Sequence, residues 1–327
     1  MIYQRGCELM GVFLSSGDLV LDRRYRWALD YLARGDRTEA TEILEQVVEA
    51  APGFAAAWFA LAQLREAQGD RGRAVAAFRA AADADREDFQ GARLHLARLG
   101  AGDITPTMLA EHARRTFDEH APRFEASLAR LDYRGPQLLL AAVTAAGGIA
   151  GPASRFRSML DLGCGTGLAG AAFRSEVDRL SGVDLSAAML AEARRKDIYD
   201  RLAEGELMAF LAAEAGGGTR HDLVIAADVF VYLGDLAPIA AAVARVLAPS
   251  GLFAFTVETH GGEGALLRST LRYAHGSAHV RSAIADAGLD LSYLEEVATR
   301  SEKGEPVEGL IAVAIKQEEA APAVGAI

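Results

Sequence analysis

A short apolar run ending in three alternating glycines, Met159-Leu160-Asp161-Leu162-Gly163-Cys164-Gly165-Thr166-Gly167, constrains this chain more than any other part of its sequence. Glycine reaches backbone angles closed to other residues and lets a ligand approach the main chain, so a strand entering such a run can turn tightly into a helix. The place suits a nucleotide-like ligand. Gly-x-Gly-x-Gly is weak evidence alone, and a dinucleotide site wants a small residue at the end of Gly-x-Gly-x-x-Gly/Ala, where Leu168 stands here. About twenty residues on, Gly182-Val183-Asp184 ends a second apolar run with an acid, placed to suit a pair of ribose hydroxyls. Ser186 can then cap the next helix.

The surrounding sequence repeats this rhythm. Short apolar runs, Met159 to Leu162, Leu180 to Val183, Leu223 to Ala226, Leu252 to Val257, Leu289 to Val297 and Leu310 to Ile315, alternate with amphipathic segments. Such alternation predicts a parallel α/β sheet. The last two runs are separated by Glu302-Lys303-Gly304 instead of a helix, which predicts an antiparallel hairpin at the sheet's end.

After Asp184 comes Ser186-Ala187-Ala188-Met189, and this acid-x-Ser-x-x-Met pattern behind the glycine loop resembles the class I S-adenosylmethionine (SAM)-dependent methyltransferases. The resemblance covers roughly Thr107 to Lys316 and implies a Rossmann-like, seven-stranded, mostly parallel sheet with a C-terminal antiparallel hairpin. It implies SAM as cofactor, with Asp161 and the loop Gly163, Cys164, Gly165 and Gly167 around its methionine part. Asp184, with Leu185 beside it, takes the ribose hydroxyls on this reading. Glu206 and Leu207 fall near the adenine, and Asp228 lines the junction of cofactor and substrate. Cys164 is expected there for its small size, not as a nucleophile. Upstream, Phe117-Asp118-Glu119-His120-Ala121-Pro122-Arg123-Phe124 resembles the segment that covers the SAM site in small-molecule methyltransferases, including ubiquinone-pathway and biotin-pathway members. Phe117 and Phe124 are thus candidate cofactor neighbours, and equally candidate helix-packing residues.

Open α/β sheets place ligands over the C-terminal ends of their strands. Two segments can reach that edge: Thr256-Val257-Glu258-Thr259-His260, and Leu271-Arg272-Tyr273-Ala274-His275. Arg272 is the candidate for an acidic group of the acceptor, Tyr273 for shaping the pocket, and His275, with Glu258 nearby, for orienting the acceptor or taking its proton. A general base is optional, since a carboxylate acceptor has no proton to lose while a hydroxyl or carbon acid does. Of the seven histidines, His275 and His279 are four apart, but Gly276 between them weakens a helix, and no metal is expected.

The N-terminal third follows a different rule. Positions 34 apart match without a gap: Trp27 with Leu61, Ala28 with Ala62, Gly35 with Gly69, Asp36 with Asp70, Ala40 with Ala74, Leu44 with Phe78 and Val47 with Ala81. This resembles the tetratricopeptide repeat, with units Leu21 to Phe54 and Ala55 to Asp88 and a capping helix near Phe89 to Leu99. Arg86 stands where Pro52 closes the first unit, and Arg65 replaces Tyr31. The joined layout resembles a bacterial group of methyltransferases with tetratricopeptide repeats.

A length of 327 residues suits two domains. The expected divisions are an extension over 1–20, the repeat domain over 21–99, a linker over 100–105, the methyltransferase domain over 106–316 and an unstructured tail over 317–327. A net charge of -11 argues against binding nucleic acid through phosphates. Two cysteines, Cys7 and Cys164, are too few for a disulfide framework, and no long apolar run or signal-peptide core is present, so a cytoplasmic location is expected. The expected activity is methyl transfer from SAM to a small-molecule acceptor, with the repeats engaging a protein partner. Two alternatives stay open: a SAM-binding scaffold without catalysis, and a dinucleotide-dependent oxidoreductase.

Overall fold

The structure is a computed structural model that describes residues 15–103, 105–149, 155–302 and 304–318. Cys7, most of the expected extension, Ile104 of the expected linker, Lys303 of the hairpin turn and residues 319–327 of the expected tail lie outside these. The chain forms two compact units, Met1–Arg115 and Thr116–Ile327.

The first unit is helical: α1 (Leu19–Arg34), α2 (Arg37–Ala50), α3 (Ala55–Ala67), α4 (Arg71–Ala84) and α5 (Ala92–Arg98). The repeat is visible in its turns. Gly35 and Gly69, 34 positions apart, both have positive φ, 92° and 80°, and reverse the chain between paired helices. Large residues fill the pairs: Leu44, Leu61 and Phe78 are wholly buried, and small Ala28, Ala62 and Ala74 let the helices approach. Trp27 is half-exposed, unlike its repeat counterpart Leu61, which packs among Tyr25, Ala28 and Leu44 of the first helix pair. Where the second repeat lacks its proline, Asp85 accepts from the Glu87 and Phe89 amides and Asp88 from that of Arg93, so carboxylates make the exit turn. Arg65, in place of Tyr31, pairs with Glu45 at 2.8 Å.

Helix α6 (Pro106–His120) runs across the division between the units. It is followed by a 3-10 turn (Ala121–Arg123), α7 (Phe124–Ala129) and α8 (Gly135–Ala145). Then strands and helices alternate: β1 (Phe156–Leu162), α9 (Leu168–Phe173), β2 (Val177–Asp184), α10 (Ala187–Arg195), β3 (Arg201–Glu204), α11 (Leu207–Gly216), β4 (His221–Ala226), α12 (Ala237–Val246) and β5 (Leu247–Thr259). Two short strands, β6 (Ala265–Leu267) and β7 (Tyr273–His275), precede α13 (Ser277–Asp286), β8 (Leu289–Glu302) and β9 (Glu305–Lys316).

Strands β3-β2-β1-β4-β5 are parallel neighbours, β9 runs antiparallel to β5, and β8 closes the hairpin on β9. The described residues thus hold nine strands, not the seven expected. The additional pair is β6 and β7. Glu258 pairs with Gly309 of β9 and also with Ala274 of β7. A strand residue has one neighbour on each side, so β7 occupies the side that β4 has vacated beyond Ala226. The β6–β7 ribbon therefore stands at the C-terminal ends of the central strands. Its three-residue strands carry no apolar alternation that would mark them in the sequence.

The central strands are buried on both faces, which is why they read as unbroken apolar runs. Side chains alternate: Leu160, Val224, Phe253 and Phe255 join one cluster with Leu211, Ile239, Val243 and Ile284 of α11, α12 and α13. Met159, Leu223, Ile225 and Ala254 join the other with Leu139, Val143 and Phe173 of α8 and α9. Each large side chain contributes roughly 1.5–3 kcal/mol on leaving water. By the same alternation Asp161 falls on the α8–α9 face, an acid set among apolar neighbours.

Candidate active site

The strand order reverses between β1, which leads on to β2 and β3, and β4, which leads to β5. Such a switch point opens a crevice at the C-terminal strand ends. The glycine loop and Asp228 both sit there.

Gly163, Gly165 and Gly167 all have positive φ, 64°, 53° and 88°. An L-residue in that region loses about 1–2 kcal/mol, so the motif's glycines are needed for their conformation. Space adds a second demand. A Cβ on Gly163 would lie 2.5 Å from Val229 across the crevice, and one on Gly167 would lie 3.0 Å from the Tyr199 ring. A Cβ on Gly165 would meet nothing within 4 Å, so at that residue the backbone faces open space.

Asp184 ends β2 with 8% exposure. The Gly165 amide donates to its Oδ2 at 2.8 Å and the Ser186 amide to its Oδ1 at 2.8 Å. One carboxylate thus ties the glycine loop to the second strand. Burial raises its pKa, opposed by the amides of Ser186, Gly165 and Leu185. Ser186 caps α10, its Oγ accepting from the Met189 amide at 3.1 Å while donating to Asp118 at 2.6 Å. Asp118 belongs to the upstream segment Phe117 to Phe124, so the cap also ties that segment to α10. Phe117 packs edge-on against Phe124 and against Tyr232, at 5.9 and 5.7 Å between ring centres.

Glu206 is exposed and caps α11, accepting from the Met208 and Ala209 amides at 3.0 and 2.9 Å, with half-buried Leu207 against the core. Buried Cys164 has its thiol pKa driven up, chiefly by burial. Asp161, 1% exposed, accepts from the Tyr199 hydroxyl at 2.7 Å through Oδ2, and its Oδ1 has no protein partner.

On the other side of the crevice an ionic cluster joins β4, β5, β8 and the β6–β7 ribbon. Arg300 donates to Asp228 at 3.1 Å, to Glu258 at 2.6 Å and to Glu302 at 2.9 Å. Arg268 and Arg272 also reach Glu258, at 3.2 and 3.4 Å. Asp228 is held with φ at 58°, an uncommon angle for a residue other than glycine. Its amide donates to Thr256 Oγ1, whose hydroxyl donates to its Oδ1. The structure therefore brings Arg272, Glu258 and Asp228 together. Tyr273 is half-buried, its ring beside Gly234. His275 departs from the sequence expectation: it is wholly buried, with Nε2 3.4 Å from the Phe230 carbonyl, and burial lowers its pKa to about 4. A ring so enclosed braces the turn after β4 and lies out of reach of an acceptor. Arg300, Arg268, Thr256, Tyr199 and Asp118 were not singled out as site residues from the sequence. Arg300 lies beyond the Leu289 to Val297 run and among other charges, Glu295, Glu296 and Glu302, so nothing in the sequence marks it.

Residues 160–253 match the family described as a methyltransferase domain, and residues 31–99 match the tetratricopeptide repeat. The chain carries a methyltransferase domain. Malonyl-[acyl-carrier protein] O-methyltransferase of Enterobacter lignolyticus (strain SCF1) is 35% identical over 105 residues, 32% of this chain and 40% of that protein. Methyltransferase-like protein 27 of Homo sapiens is 38% identical over 87 residues, 26% of this chain and 34% of that protein. The chain thus spans well under half the length of these curated relatives. Burkholderia thailandensis 1,6-didemethyltoxoflavin-N1-methyltransferase, solved with that compound and S-adenosylhomocysteine bound, shares the fold of the methyltransferase domain. It has a TM-score of 0.50 and 17% identity, over 66% of this chain and 92% of that one. No described helix is long and apolar enough to cross a membrane.

Proposed function

We propose that the methyltransferase domain binds SAM at the β1–β4 switch point and transfers its methyl group to a small-molecule acceptor. One observation carries this: in a loop of three left-handed glycines, Gly165 faces open space, and its amide is pinned to the acid that ends β2. The residues fit the cofactor. Unpartnered Asp161 Oδ1 is a buried acceptor for an ammonium group, the space over Gly165 admits a ligand against the backbone, and Asp184 stands where ribose hydroxyls would be received.

SAM supplies a methyl group already activated by its sulfonium, so the protein's task is to align the acceptor and keep water away. Asp161 and the loop from Gly163 to Gly167, with small Cys164 among them, hold the amino-acid end. Asp184 and Leu185 hold the ribose, and Glu206 and Leu207 flank the adenine. Phe117 and Phe124 cover the site, and Asp228, fixed by Arg300 and Thr256, borders the acceptor. Arg272 and Tyr273 face the acceptor's polar end, with Glu258 anchoring three arginines instead of acting as a base. The repeats, on this reading, engage a protein partner. Thermal shifts with SAM, S-adenosylhomocysteine and NAD test the cofactor: the first two raise the melting temperature and NAD leaves it unchanged. Stabilisation by NAD alone contradicts the reading.

A further inference from the structure

Tyr199 lies in the link between α10 and β3, where Asp197-Ile198-Tyr199-Asp200 shows no motif. Its ring fills the space beneath three glycines. A Cβ on Gly170 would lie 2.3 Å from its hydroxyl, one on Gly182 2.8 Å from its ring and one on Gly167 3.0 Å from it. The small residues at 167, 170 and 182 thus make a slot for one phenol, and the slot carries its hydroxyl to Asp161. The result is a carboxylate with one oxygen satisfied at 2.7 Å and the other buried without a protein partner. Such an oxygen is costly to leave alone and is best explained by a ligand donor.

We infer that Tyr199 is a positioning residue for the cofactor site: by donating to Asp161 Oδ2 it fixes the carboxylate and favours its ionised form, with Oδ1 presented to the ammonium group of the cofactor's amino-acid end. This rests on the SAM reading above. The balance at Asp161 is delicate. Burial raises its pKa to about 7, with the Asp184 carboxylate from β2 pushing the same way, while the Tyr199 hydroxyl and the Gly170 amide of α9 oppose them. The neighbouring Cys164 thiol, itself driven up, stays neutral. The Tyr199 hydroxyl is thus the side-chain donor that opposes burial at Asp161.

Calorimetric titration of S-adenosylhomocysteine into the full chain, from mildly acidic to mildly alkaline pH, tests this with wild type, Tyr199→Phe and Asp161→Asn. Wild-type affinity rises with pH and levels off above about 7. Tyr199→Phe levels off at higher pH, binding about ten-fold more weakly at low pH for each unit its midpoint moves, and converges on wild type at alkaline pH. The ligand's own amino group titrates identically against every variant, so differences between profiles report on the protein. Asp161→Asn loses the rise altogether, and this holds the inference to account even where Tyr199→Phe fails to fold. Superimposable profiles for wild type and Tyr199→Phe, or a wild-type rise in Asp161→Asn, overturn the inference while leaving the cofactor reading intact. Wild type that binds nothing at any pH overturns both.

Discussion

Arg300 on β8 and Glu258 on β5 form an ion pair at 2.6 Å with both side chains under 5% exposed, 42 positions apart in the sequence. The same guanidinium reaches Asp228 at the end of β4, so one buried cation ties the C-terminal hairpin to both strands that border the candidate acceptor side. Removing one partner of a buried pair leaves a charge without compensation, which costs about 3–5 kcal/mol. Arg300→Ala should lose about that much by denaturant unfolding. The loss should be smaller in Arg300→Ala combined with Asp228→Asn, because Glu258 keeps Arg268 and Arg272 while the ion pair of Asp228 is with Arg300. Equal stability of wild type and Arg300→Ala would contradict the role.

Arg272 shares Glu258 with two other arginines and keeps 28% of its side chain exposed, over the Tyr232 ring at 5.9 Å. Arg272 and Arg268, the latter 33% exposed, are the arginines of the cluster that reach the surface, whereas Arg300 is buried. Arg272→Ala should lower kcat/KM for an acidic acceptor by at least about ten-fold, through one lost charged contact, while S-adenosylhomocysteine affinity stays within about two-fold. Wild-type kcat/KM in the variant would remove Arg272 from the acceptor site.

How far this site could be read in advance depends on the sequence range over which each interaction acts. The glycine loop, Asp184 and the Ser186 cap are set by a few consecutive residues, so pattern and spacing expose them. The Arg300 contacts to Glu258 and Asp228, 42 and 72 positions away, and the Tyr199 contact to Asp161, 38 away, exist only once the sheet has formed. Strand β3 is missing from the apolar runs because its four residues are half-buried or exposed and include Arg201 and Glu204. His275 looked reactive among charged neighbours, but strand β7 carries it inward beneath the turn at Phe230.

That burial has a pH consequence. His275 is held to about 4 against an ordinary 6.5, so the folded protein refuses a proton that the unfolded chain accepts. Its contribution to stability is full above pH 6.5 and is lost as pH falls toward about 4. The melting temperature should drop across that window, and His275→Gln, which has no such proton to take up, should drop less. A steeper drop in the variant would mean that His275 does not lose stability on taking up its proton.

Glu206 supports two roles that separate experimentally. As the cap of α11 its loss in Glu206→Ala should cost about 1 kcal/mol of stability. As a neighbour of the adenine, its loss should also weaken S-adenosylhomocysteine several-fold, measured on the folded variant. Lost stability with unchanged affinity leaves it a cap alone.

The division between the two compact units falls inside α6, so a fragment beginning at Thr105 keeps that helix whole. Such a fragment should retain S-adenosylhomocysteine affinity within about three-fold of the full chain, as expected of a domain with its own core. A soluble, folded fragment that no longer binds would make the repeats part of the cofactor site.

The crevice at the β1–β4 switch point is proposed to receive SAM through the glycine loop and Asp184. Calorimetric titration of S-adenosylhomocysteine into wild type and Asp184→Ala tests it most directly. Wild type should show saturable one-site binding, weakened by roughly 1–3 kcal/mol in Asp184→Ala, the loss expected when a buried charged hydrogen-bonding group is removed. Identical isotherms for the two proteins, or no binding by wild type, would contradict it.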